Sequence, residues 1–105
     1  MKECNLKQLG LAPTRRHGSA ELTTIEDSVA LLAACEEHLA GVLGIEGFHV
    51  CGNQRIPDMN CIADFSSFSD RPNFETASVN AARSFLRTLD PHSGILLEFV
   101  LVTRR

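Results

Sequence analysis

The 105-residue sequence predicts one small α+β domain, a two-layer sandwich with two helices on one face of an antiparallel sheet. Three observations carry that expectation: two apolar stripes at helical spacing, two alternating runs around a turn, and a last segment apolar on both faces. The core order reads αββαβ. A further strand ahead of it would make βαββαβ, the chain order of ferredoxin-like folds. A chain of this length has room for one core, and it hides roughly 60–70% of its unfolded surface, enough to fold without staples.

Residues 1–20 are the weakly patterned part and are set apart as an edge strand or arm, with 21–105 as the domain. Leu6, Leu9 and Leu11 suit either a strand or a short helix, and Pro13 to Ser19 reads as an exposed connection. A helix over 24–42 follows. Thr23 with Glu26 three residues on is a capping-box pattern, and Ile25, Val29, Leu32, Cys35, Leu39 and Val42 recur at steps of three and four. Gly41 and Gly44 supply the stop.

Alternation at Phe48 and Val50 predicts a strand over 46–51. Gly52 to Asp58 is turn chemistry, and 60–67 resumes a strand with Cys61, Ala63 and Phe65 on one face and Ile62 and Asp64 on the other. The second helix, 73–89, has Pro72 at its opening, where proline suits a first turn, and a stripe through Phe74, Ala77, Ala81 and Phe85. Asp90 to Gly94 ends it in a turn. In the last strand, 95–102, Ile95, Leu97, Phe99 and Leu101 share one face and Leu96, Val100 and Val102 the other. Such a strand belongs inside a sheet.

The chain has six Phe but no Trp or Tyr, which argues against a base-stacking platform. No run approaches the ~20 apolar residues of a membrane span, and the first nine residues lack the apolar core of a secretory signal. The expectation is therefore a cytoplasmic protein with Cys4, Cys35, Cys51 and Cys61 as free thiols. The formal charge is −3, unevenly spread. Between His17 and Gln54 stand six acids and no Lys or Arg; the remainder has ten basic residues against seven acids.

Candidate chemistry is sparse. His49, Cys51 and Cys61 could approach one another in a hairpin as metal ligands, but no paired C-x-x-C hooks accompany them, so no metal or other cofactor is expected. Cys35 lies in an apolar stripe, where a thiol is inert. Asp90, His92 and Ser93 are explained by turn composition. Gly41-Val42-Leu43-Gly44 matches the G-x-x-G of KH domains formally, yet its centre is apolar and its flanks acidic rather than basic.

Two surfaces remain. Glu26, Asp27, Glu36 and Glu37 make the first helix acidic, suited to capturing a basic protein such as a nuclease. Ile62, Leu96, Val100 and Val102 form an apolar sheet face that the two helices leave bare. A second copy of the chain, the partner, or the first twenty residues folding back would cover it. These features favour a non-catalytic protein-binding module, an inhibitor or immunity-type protein. The alternatives are a KH-like or ferredoxin-like nucleic-acid binder, then a small enzyme or thiol/metal protein centred on the hairpin cysteines.

Overall fold

A computed structural model describes residues 1–104. In chain order the elements are β1 (Lys2–Cys4), a 3-10 turn over Leu6–Leu9, β2 (Arg15–His17), β3 (Ala20–Leu22), α1 (Ile25–Glu37), β4 (Gly41–Cys51), β5 (Gln54–Asp64), a 3-10 turn over Ser66–Phe68, α2 (Phe74–Arg87) and β6 (Leu96–Thr103). Four strands make one antiparallel sheet in the order β1-β6-β4-β5, and β2 and β3 form a separate hairpin. The α+β two-layer expectation holds. Setting the small hairpin aside, the chain order is βαββαβ, but β1 lies at the sheet edge beside β6. Likeness to a ferredoxin-like arrangement, whose first strand lies within the sheet, stops at chain order.

The first helix is shorter than its sequence spacing suggests. Its N-cap is Thr24, not Thr23: the Thr24 hydroxyl accepts from the Asp27 amide at 3.0 Å. Thr23 instead bridges to β6, exchanging main-chain bonds with Leu97 at 2.8 and 2.7 Å. At the other end Leu39 turns left-handed at φ 56°, the Ala40 N–H reaches the Cys35 carbonyl at 2.8 Å, and the Leu39 N–H reaches Glu36 at 3.3 Å. This is a Schellman ending with leucine in the place glycine normally takes. Val42 therefore belongs to β4, and the buried stripe runs through Ser28, Leu31, Leu32 and Cys35. Val29 and Leu39, expected within the stripe, are 59% and 52% exposed.

The hairpin is longer than the expected pair of strands. Its turn is only Gly52-Asn53, since Cys51 faces Gln54, with Gly52 at φ 61° in the first turn position. Pro57 sits inside β5 because β5 is an edge strand, where a missing N–H removes no ladder bond. Pro72 precedes the Asn73 N-cap of α2 and so lies outside the helix rather than at its first position.

Both helices bury their stripes on one sheet face. Leu31, Leu32 and Cys35 of α1 and Val79, Ala82 and Leu86 of α2 share a core with Val42, Ile45, Cys61, Leu97 and Leu101. Each large aliphatic side chain buried there contributes roughly 1.5–3 kcal/mol. Gly47 has no room for a side chain, because a Cβ would run into Cys61 Sγ and Ile95 Cδ1. The two buried serines are satisfied: Ser28 donates to the Thr24 carbonyl at 2.7 Å, and Ser78 accepts from the Val42 amide at 3.0 Å. Leu6 and Leu9 join this core, so part of the N-terminal segment packs as an integral layer. An Asn5–Gln8 capping box holds the 3-10 turn that delivers them.

The left-handed Leu39 makes a stability prediction. A β-carbon in that conformation costs about 1–2 kcal/mol, and this half-exposed side chain has little burial to lose. Leu39→Gly should raise stability by about 1 kcal/mol in urea denaturation, after glycine's extra unfolded-state entropy is counted. A loss of stability would show that Leu39 packing outweighs its backbone strain.

Candidate functional site

The sheet face turned away from the helices, here the outer face, is set by alternation and register. Glu46 of β4 stands between Ile62 of β5 and Glu98 of β6; in the next row Gly44 stands between Asp64 and Val100. Gly44 has no side chain, and a depression of about 250 Å³ opens there, bordered by Glu46, Ile62, Asp64, Glu98 and Val100. Farther along, the face is covered. Ala20 and Leu22 of the β2–β3 hairpin close over Phe48 and Leu96. The hairpin is fastened by His17 Nε2 at 3.0 Å from the Asn53 carbonyl oxygen.

The four residues expected on this face therefore part company. Leu96 is half-buried beneath the hairpin, and Val102, expected to be bare, is 4% exposed. Ile62 and Val100 remain open at 45% and 41%. The N-terminal segment covers one end of the face and stops short of the other.

What occupies the open end is acidic as well as apolar. Glu46 and Glu98 are directly opposed on neighbouring strands, an arrangement that is unfavourable for like charges. Among the described residues no cation pairs with either. Arg55, on the same face, is folded over the Phe48 ring at 4.6 Å instead. Asp64 is held below the usual carboxylate range by hydrogen bonds from the Ser66 hydroxyl and amide. Sequence reasoning missed Glu98 altogether, because it reads as a lone interruption of an apolar run. Only the register pairs it with Glu46.

On α1 the acids are partly committed. Asp27 accepts the Thr14 hydroxyl and Glu36 pairs with Arg83 of α2, so these two tie the fold together. Glu26 and Glu37 are exposed and make no ion pair among the described residues. The acidic helix surface is half as available as its sequence suggests.

The thiol and histidine candidates are dispersed. His49 bonds Asp58 at 3.0 Å and holds that carboxyl below its ordinary range. Cys51 lies exposed at the hairpin end, whereas Cys61 is buried beneath Gly47. No group of three metal-ligating side chains gathers among the described residues. Burial, with Cys4 nearby, pushes the Cys35 thiol up to about 12; burial also raises Cys4 and Cys61. The Asp90 carboxylate accepts the His92 amide at 2.9 Å, a turn bond rather than part of a triad. Gly41 to Gly44 lie within β4, not in a loop, which removes the formal KH match. No helix among the described residues is long and apolar enough to cross a membrane.

Compared with known proteins, the chain matches no family model, no curated protein and no solved structure.

Two predictions follow from this geometry. Glu98→Gln should stabilise the free protein by about 0.2–1 kcal/mol by removing the opposed charges. The double variant with Glu46→Gln should gain less than the two single gains together, since the second change finds no repulsion left. Additive effects in denaturant melts would show that the two carboxylates do not interact.

The second concerns the thiols. Cys51 should react at once with a thiol reagent in the native protein, and Cys35 and Cys61 only on unfolding. Because the folded Cys35 pKa lies above its unfolded value, its contribution to stability is complete below about pH 9 and is lost as pH rises toward about 12. With no Tyr and only two Lys in the chain, the other contributors to that decline are chiefly Cys4 and Cys61, which burial also raises. Cys35→Ala should flatten that alkaline decline, measured as melting temperature against pH; an unchanged slope would contradict it.

Proposed function

We propose that the chain is a non-catalytic protein-binding module that captures a basic partner on the open end of its outer sheet face. The observation that carries the reading is the unpaired Glu46–Glu98 opposition beside exposed Ile62 and Val100. An opposed carboxylate pair destabilises the free fold, and a cationic group placed between the two relieves it. The flanking aliphatic side chains supply area that excludes water around that contact. An inhibitor or immunity-type protein directed at a basic enzyme such as a nuclease is the form that suits this size and charge.

The same charges weigh against other occupants. A second copy meeting face to face would set Glu46, Asp64 and Glu98 against their own counterparts. A nucleic-acid backbone would meet carboxylates where it needs cations. The remaining free helix acids, Glu26 and Glu37, serve long-range attraction rather than contact, which affects the association rate most.

Capture experiments with two double reversals test this. Glu46→Lys with Glu98→Lys should abolish retention of a basic protein, whereas Glu26→Lys with Glu37→Lys should leave it bound but slow its association. Wild-type association should also slow as salt rises, since the screening length shrinks below about 8 Å above physiological ionic strength. Retention that survives the sheet-face reversal and fails in the helix reversal would move the site to α1. Absence of any basic partner would remove the reading.

A further inference from the structure

On the side of β6 away from β4, Phe99 turns its main-chain groups toward a gap that no strand of the described residues fills. Leu97 exchanges both main-chain bonds with Thr23, and pairing resumes at Leu101, opposite Cys4 of β1. Peptide groups alternate sides along an antiparallel strand, so Phe99 aims its N–H and C=O the same way as Leu97, into the interval between Thr23 and Cys4. No main-chain bond from the described residues closes that interval. It opens as a cavity of about 340 Å³, with Glu3, Glu98, Ser19 and Gln8 on its walls.

An unpaired N–H and C=O on a sheet edge are a template for another chain. The length of the interval limits which chain fits. From Leu97 to Leu101 is about 13 Å of strand, and Thr23 and Cys4 occupy its two ends, leaving a place for one extended residue. A chain passing through would need neighbours on both sides, where Thr23 and Cys4 already stand. A chain that ends there has to turn out of the sheet on one side only.

Charge decides which end. Glu3 and Glu98 line the interval and no described cation pairs with either; Glu21, also on the wall, is held by Arg16 at 3.2 Å. A terminal carboxylate would be repelled and a terminal ammonium attracted. In an extended first residue the ammonium N–H and the carbonyl face the same edge, complementary to the C=O and N–H of Phe99. We propose that this interval is a binding site for the free N-terminus of a peptide or protein. One extended residue donates from its α-ammonium to the Phe99 carbonyl and accepts the Phe99 N–H, with Glu98 and Glu3 balancing its charge. The site stands independently of the sheet-face reading, although Glu98 borders both.

Amide exchange and chemical shifts in the ¹⁵N-labelled protein test it. In the free protein the Phe99 amide should exchange far faster than those of Leu97 and Leu101. Alanyl-alaninamide should shift the Phe99 amide and slow its exchange, N-acetylation should weaken that effect at least about tenfold, and free alanine should bind more weakly because of its carboxylate. Glu98→Gln should weaken it several-fold without speeding the exchange of Leu97 and Leu101. The proposal is overturned by a Phe99 amide already as protected as its neighbours, by equal binding of the acetylated peptide, or by no response at about 10 mM dipeptide amide. Shifts at Ile62 and Val100 without one at Phe99 would likewise overturn it while leaving the sheet-face reading intact.

Discussion

The fold depends on the need of β6 to be buried on both faces. Leu97 and Leu101 point into the helical layer and Leu96 and Val102 point away from it, and all four avoid water to a large degree. Two helices satisfy the first requirement with a single core. The second is met at one end by a hairpin inserted between β1 and α1, whose Ala20 and Leu22 reach Phe48 and Leu96. That hairpin is too short to cover the whole face. The open row of Ile62, Glu46, Glu98 and Val100 is the consequence, and it is the place we propose for a partner.

The large elements were legible where one physical signal dominated. The second helix and the last strand lie within two residues of their expected ends, because a stripe and a doubly apolar run have few competing readings. The first helix was overextended for a specific reason. Leu39 and Val42 continue its three-and-four spacing, while the true stop is a left-handed leucine that no composition rule marks. Gly41 and Gly44, read as the terminator, are strand residues. Gly41 is needed where Phe74 crowds the start of β4, and Gly44 lies against the Ala63 carbonyl. Likewise Pro57 and its polar neighbours disguised half of β5 as a loop, because sequence does not say which strand is an edge.

The candidate sites were less legible, since each depends on register. Glu46 and Glu98 lie far apart in the chain and become a pair only across β4 and β6. Ile62 was placed on the correct face from alternation alone. Val102 was not recognised as buried, and the vacancy beside Phe99 has no sequence signature. The acids of α1 were visible as an exposed set, but Thr14 and Arg83, which engage Asp27 and Glu36, come from distant segments. Charge patterning thus drew attention to the helix, the less available of the two acidic surfaces.

Hydroxyl-radical footprinting of the protein, at a concentration shown to be monomeric, tests the central claim that the outer face is covered beneath the hairpin and at Val102 and open at the Ile62 and Val100 rows between them. The account predicts rapid oxidation at Ile62 and Val100 and protection at Phe48, Leu96 and Val102. Uniform protection across all five in the monomer, or oxidation of Leu96 and Phe48 as fast as Val100, would contradict it.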